Sequence, residues 1–213
     1  MGGGFGRRTF FGRDLLSDAL ILSRQVKRPV KLIWTREDDV KNAWLRPAGA
    51  HKFHAALDET GKLVAWHHRV ASPSILAFAW PQRWAGLNNS DPLVMEGSES
   101  TDYDIPDFLA EHVLMERRAR VSAWRAIGWG TNCFARECFI DELAHAAGAT
   151  PVDFRRRLLN KSARGRAVLD AVVKMSNFDK PQQGRAFGLS FAGYKTTLGA
   201  GVAELSIDRQ SGQ

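Results

Sequence analysis

Met1-Gly2-Gly3-Gly4-Phe5-Gly6-Arg7-Arg8 opens the chain and decides how the rest is read. Glycine has no Cβ and accepts positive φ, so glycines at positions 2, 3, 4 and 6 let backbone N–H groups come close to a ligand. Arg7 and Arg8 follow at once, and Arg13 to Lys27 then carries apolar residues at helical spacing. A helix start gathers N–H groups and the positive end of the helix dipole, so loop, arginines and helix together predict a seat for an anionic ligand. The spacing is not a dinucleotide fingerprint, whose third glycine would fall at position 7 and meets Arg7. It is not a Walker loop either, since no Gly-Lys-Ser/Thr follows. Nor is it a twin-arginine export signal, because Arg13, Asp14 and Asp18 interrupt the apolar core that such a signal needs. A purely structural turn with exposed arginines is the alternative that the local sequence leaves open.

The 213 residues suffice to bury a core, and 44% hydrophobic with 25% charged content is that of a globular protein. No apolar run approaches the roughly 18 residues of a membrane span, so no transmembrane segment is expected. The formal charge of +7 favours acidic ligands or surfaces. Nucleic acid is not the expected partner, since Arg155-Arg156-Arg157 has no aromatic interleaving and reads as a solvated or cofactor-side face. Cys133 and Cys138 point to different faces of a helix and read as core thiols, and His67 and His68 are adjacent on a strand, so no protein-ligated metal is expected.

Taken in order, Leu15, Leu16, Ala19, Leu20, Ser23 and Val26 form a helical stripe that should pack on a core. Pro29 stops that helix, and Val30 to Trp34 reads as a short buried strand. Thr35 should cap a short helix ending near Trp44. Arg46, before Pro47, reads either as a solvated loop charge or as an anchor for a ligand carboxylate or carbonyl. A hairpin follows, turning at Asp58 to Gly61 and returning from Leu63 with Val64, Trp66, His68 and Val70 on one face. Residues 73 to 106 read as a long surface excursion pinned by Trp80 and Trp84. Phe108 to Ala123 should be extended.

Trp124-Arg125-Ala126-Ile127-Gly128-Trp129-Gly130 then repeats the opening device, with a helix capped at Thr131 or Asn132 behind it. Phe134, Cys138, Leu143 and Ala147 are expected among that helix's buried residues. Two glycine-arginine loops in one chain predict opposite walls of a single anion site. Thr150-Pro151-Val152-Asp153 opens a further helix with Val152, Phe154, Leu158 and Leu159 facing inward. Another, from Arg164 to Ser176, carries Val168, Leu169, Val172 and Met175. Gly184 to Phe191 and Val202 to Ile207 read as strands, the second with Ala203, Leu205 and Ile207 on one face. A ligand loop with no strand ahead of it, and a closing turn with no returning strand, predict an internal piece of a longer polypeptide.

These motifs resemble the molybdopterin-binding large subunits of the xanthine dehydrogenase and aldehyde oxidase superfamily. The branch most similar is that of isoquinoline 1-oxidoreductase and membrane-associated aldehyde dehydrogenase. The carriers are Gly2 to Arg8, Pro29 to Asp39, and Trp124 to Gly128 followed by Glu137-Cys138-Phe139-Ile140-Asp141-Glu142-Leu143-Ala144. The resemblance implies an α+β fold of mixed sheets with packed helices. Residues 1–123 and 124–213 would be the first and second parts of the molybdopterin-binding region. It implies oxidation of an aldehyde or N-heteroaromatic substrate with water as oxygen source, and electrons passing to iron-sulfur clusters on a small partner subunit, with a cytochrome c as a further partner. The cofactor would be molybdopterin cytosine dinucleotide. Gly3, Gly4, Phe5, Gly6 and Arg7, with Arg125, Ala126, Ile127 and Gly128, would bind it, while Arg46 and Thr9 would face the substrate. Thr9 replaces the substrate-binding glutamate of purine-oxidising members, which argues against xanthine, and Gly130-Thr131 replaces a proline-glutamine pair. The general-base glutamate would lie further downstream, so these residues alone should not turn over. The compartment is left open, with the resemblance leaning towards a periplasmic or membrane-associated one. A nonenzymatic anion-binding or assembly domain that kept the fold is the alternative.

Overall fold

A computed structural model describes residues 4–6, 13–99, 102–116, 119–178, 180 and 183–212. Gly3, Arg7 and Thr9 lie outside the described residues. The chain begins with helices α1 (Arg13–Val26) and α2 (Arg36–Asn42), then strands β1 (Ala50–Leu57) and β2 (Leu63–Ser72). Short helices α3 (Ile75–Ala79), α4 (Pro81–Trp84) and α5 (Pro92–Met95) precede strand β3 (Asp107–Leu114). Helices α6 (Gly128–Ala146), α7 (Pro151–Leu158) and α8 (Ala163–Ser176) lead to strands β4 (Ala186–Tyr194) and β5 (Thr197–Leu205). The strands order as β1-β2-β3 in one sheet, and β4 pairs antiparallel with β5 in another, which is the expected α+β class. Among the described residues no helix is long and apolar enough to cross a membrane. Two compact units are formed, one from residues 1–50, 70–96 and 111–130, the other from 51–69, 97–110 and 131–213.

Local chemistry accounts for the first unit's elements. Thr35 caps α2 with a complete capping box, its Oγ1 accepting from the Asp38 N–H at 3.2 Å while the Asp38 carboxylate accepts from the Thr35 N–H at 3.1 Å. Three expectations need correction. Val30 to Trp34 forms no strand: accessibility alternates along it, but among the described residues it has no ladder partner, and an unpaired segment is not a strand. The apolar stripe of α1 is uncovered, with Leu16 59%, Leu20 62% and Val26 54% exposed. The supposed surface excursion is likewise folded in. Its anchors are the buried Ile75, Leu76, Val94 and Met95, not the half-buried Trp80 and Trp84. Fully buried Asp91 holds them together: its carboxylate accepts from Ser74 Oγ at 2.6 Å, the Leu76 N–H at 2.8 Å and the Leu93 N–H at 2.8 Å. Three hydrogen bonds replace the water that a buried carboxylate would otherwise miss.

The second unit has an apolar core in which Leu63 and Trp66 of β2 meet Ile140, Leu143, Phe154, Leu159, Leu169 and Phe191. Thr150 caps α7, and Val152, Phe154, Leu158 and Leu159 all face inward as expected. Arg155 does not stay in solvent. It is 0% exposed, its Nε donating to Glu137 Oε2 at 3.0 Å and its Nη1 to Asp141 Oδ1 at 2.5 Å, so the triple-arginine run splits into one core ion pair and two outer cations. Helical spacing explains the pairing, since Glu137 and Asp141 are neighbours on one face of α6. That buried charge also corrects the reading of α6. Phe134 is 73% exposed, Cys138 is exposed and Cys133 half-buried, so the thiols are not core residues, while Arg136 and Glu137 are inside. In α8, Leu169 and Val173 are buried and Met175 is 82% exposed. In β5 the inward face is Leu198, Ala200 and Val202, one register step from the expected Ala203, Leu205 and Ile207. Pairing explains it: Leu189 opposes Val202 and Phe191 opposes Ala200, and both β4 residues are buried.

A histidine pair lies in this core. His68 is 1% exposed, stacked on Phe53 with ring centroids 4.0 Å apart, and its Nε2 shares a hydrogen bond of 3.0 Å with His51 Nδ1. Burial, then the charges of His51, Arg136 and His67, push the His68 pKa down to about 3. Burial lowers that of His51 as well. The folded form therefore holds His68 neutral where the unfolded chain would protonate it, below about pH 6.5. Stability should be level above that pH and fall on acidification towards pH 3, by about 1.4 kcal/mol per pH unit for one proton. Denaturant midpoints of the full-length protein against pH would show this. A His68→Gln variant should have a shallower slope, and identical slopes would remove His68 from the account.

Candidate functional site

The two glycine-arginine loops meet in the first unit. The Arg125 N–H donates to the Phe5 carbonyl at 2.7 Å, and a Cβ on Gly6 would stand 3.0 Å from the Ala123 carbonyl oxygen. Gly6 has φ +92°, so both space and backbone favour glycine there. Phe5, at φ 51°, is 65% exposed beside the second loop, and the Arg125 and Ala126 side chains are also exposed.

Three constraints shape the second loop. First, Leu45 and Val121 form a parallel bridge, with the Leu45 N–H donating to the Arg120 carbonyl at 2.9 Å and the Ser122 N–H to the Leu45 carbonyl at 2.9 Å. This delivers the chain to Trp124, whose Nε1 donates to the Trp44 carbonyl at 3.2 Å. Second, Ala126 at φ 69° and Ile127 at φ 44° are consecutive left-handed residues, an uncommon conformation for alanine and a costly one for β-branched isoleucine. Third, the backbone at Gly128 is packed against α5, where a Cβ would run into the Val94 carbonyl oxygen and fall 2.8 Å from that of Leu93 and 2.9 Å from that of Glu96.

Helix α6 begins at Gly128, ahead of the Thr131 or Asn132 start expected from capping preferences. The tight turn explains the early start: the Ile127 N–H donates to the Trp124 carbonyl at 2.6 Å and the Trp129 N–H to that of Ala126 at 2.8 Å, so the helix grows directly out of it. Arg46 reaches the same loop. Its Nη1 donates to the Ile127 carbonyl at 2.8 Å and its Nη2 to the Arg125 carbonyl at 2.8 Å. Those carbonyls are the protein's own, an arrangement that neither local reading of Arg46 foresaw.

Gly4, Phe5, Gly6, Arg46, Arg125, Ala126, Ile127 and Gly128 thus all lie in one unit, and hydrogen bonds join Phe5 to Arg125 and Arg46 to both Arg125 and Ile127. Not foreseen were the steric fit of Gly128 and the indole of Trp124 beneath Arg46, whose Cζ is 5.9 Å from the ring centroid. A glycine at a helix start, where Ser, Thr or Asp would normally cap, was the signal for the first. Among the described residues no group of three or more His, Cys, Asp or Glu side chains is placed to hold a metal. The chemistry offered is that of an exposed arginine beside the start of a helix, whose positive end favours an anion.

Residues 1–159 match the family model for the molybdopterin cofactor-binding domain. The chain belongs to that family. Within the molybdopterin-binding family it is 36% identical over 214 residues to the beta subunit of isoquinoline 1-oxidoreductase from Brevundimonas diminuta, covering 98% of this chain and 27% of that protein. It is 29% identical to a nicotinate dehydrogenase subunit from Pseudomonas putida, covering 94% of this chain and 18% of the relative. The chain therefore spans about a quarter or less of these relatives' lengths. Among solved structures, quinoline 2-oxidoreductase from Pseudomonas putida 86 superposes with a TM-score of 0.69 at 23% identity, over 90% of this chain and 27% of that one, which establishes the shared fold.

Proposed function

We propose that the loops at Gly4 to Gly6 and Arg125 to Gly128 form one wall of the molybdopterin site of a molybdenum hydroxylase. The observation that carries this is the Arg125 to Phe5 hydrogen bond of 2.7 Å, which closes two loops far apart in sequence onto each other. The residues suit such a group: a phosphorylated pterin is anionic, and exposed Arg125, the turns at Phe5-Gly6 and Ala126-Ile127, and the positive end of α6 all favour negative charge. Gly3 and Arg7 would also contribute to cofactor binding, and Thr9 to substrate binding. The bound cofactor supplies two-electron oxidation chemistry. The protein's part in these residues would be to bind it, to favour its negative charge with Arg125 and the start of α6, and to present Phe5 beside it.

The substrate class that fits this reading is an aldehyde or N-heteroaromatic carbon, oxidised with water as the oxygen source. The cofactor would be the cytosine dinucleotide form. Electrons would leave through an iron-sulfur small subunit and then a cytochrome c. What supports the heteroaromatic choice is that relatives bear the names isoquinoline 1-oxidoreductase and nicotinate dehydrogenase.

Molybdenum and pterin analysis of the full-length protein tests the proposal. Both should be present in stoichiometric amounts, and a properly matured protein lacking both would instead be an anion-binding or assembly domain that kept the fold. Arg125→Ala in that protein should lower cofactor content or turnover by roughly tenfold or more, the order expected for one charge-assisted hydrogen bond. Unchanged content and turnover would make Arg125 a bystander.

A further inference from the structure

We propose that Arg46 is a positioning residue, a latch that holds the 124–128 loop in its left-handed shape and acts through that loop, without itself binding a small molecule. Two adjacent donors of one planar guanidinium are committed to two carbonyls of the same turn, those of Ile127 and Arg125, each at 2.8 Å. The guanidinium is further backed by the Trp124 ring, 5.9 Å from Cζ. Its own backbone is fixed next door by the Leu45 to Val121 bridge.

The need for a latch comes from the loop. Ala126 at φ 69° and Ile127 at φ 44° persist only if neighbouring structure over-determines them. A side chain that crosses to two carbonyls of the turn does that, and a planar fork holds both in fixed geometry. Lysine, a compact charge on a flexible stem, has donors enough but not that geometry. The latch is what would keep Arg125 and Ala126 presented together, and its consequence for cofactor rests on the function proposed above, although the latch can be tested without any cofactor.

The experiment uses the full-length protein, prepared with and without cofactor, as wild type, Arg46→Lys and Arg46→Gln. In the cofactor-free protein, amide hydrogen exchange in the 124–130 peptide is read beside that of the 189–192 peptide, a control for the other unit. The expected result is exchange faster by roughly ten- to a hundredfold in the loop for both variants, with the control unchanged and Trp124 emission shifted. In the loaded enzyme kcat should fall with KM nearly constant, and Lys should not rescue. Unchanged loop exchange in both variants, or a rise in KM with unchanged exchange and kcat, would overturn the latch, the latter marking Arg46 as a substrate contact. Faster loop exchange with full cofactor content would uphold the latch and remove the reading of the loop as a cofactor wall.

Discussion

Glu137→Gln should destabilise the second unit by about 3–5 kcal/mol, the usual cost of breaking a buried ion pair on one side. The carboxylate is 4% exposed and receives donors on both oxygens. Arg136 Nε is 3.2 Å from Oε1, while Arg155 Nε and the Phe191 N–H are each 3.0 Å from Oε2, and the Tyr103 hydroxyl donates to the pair at 3.0 and 3.2 Å. A glutamine side chain has one oxygen and one NH₂. Whichever way it turns, the NH₂ faces an arginine Nε and two donors collide. The substitution also leaves Arg136 and Arg155 buried with one negative charge fewer. The same surroundings push the Tyr103 hydroxyl well above its ordinary pKa, by burial first and then by the Glu137 charge, so the phenol stays a donor at any physiological pH. Denaturant unfolding of the full-length protein, with exchange of the Phe191 amide as a local probe, measures the loss. A cost below about 1 kcal/mol would mean that the network is far less coupled than its geometry implies.

The second large effect is expected at Gly128. A methyl group there would overlap three backbone carbonyl oxygens of residues 93, 94 and 96, that of Val94 most severely. Backbone cannot move aside cheaply, so Gly128→Ala should cost about 2 kcal/mol or more, at the upper end for overpacking, although alanine is the better helix former. The start of α6 must then shift, and loop and cofactor content should be lost with it. Gly130→Ala is the control, because its Cβ would make only an ordinary contact 3.5 Å from Arg46 Nη1. Equal behaviour of the two variants in stability and cofactor content would show that the close approach at Gly128 does not constrain the loop.

Much of this was legible where the chemistry is local. The helix caps at Thr35 and Thr150, the stop after α1, the hairpin around Asp58 to Gly61 and the inward face of α7 depend on residues within a few positions of one another. Asp58 shows how complete such information is: its Oδ1 accepts from the Thr60 N–H, the Thr60 hydroxyl and the Lys62 N–H at 2.7 to 3.0 Å. For the site, the two glycine-arginine loops stood out because glycine and arginine have few other reasons to recur together ahead of a helix.

What the residues determined by themselves, then, is where the local turns and caps fall, which longer segments are helical, and that two loops combine glycine with arginine ahead of a helix. Tertiary structure alone decided the rest. It left Val30 to Trp34 outside the sheets formed by the described residues, chose the inward face of β5 through its pairing with β4, took Arg155 out of a surface-looking run and put it against Glu137, and turned Arg46 onto the carbonyls of a distant loop. The division has one physical cause. A cap or turn is satisfied by its own neighbours, whereas a ladder hydrogen bond, a buried charge or a guanidinium fork is stable only when a partner from remote sequence is already in place.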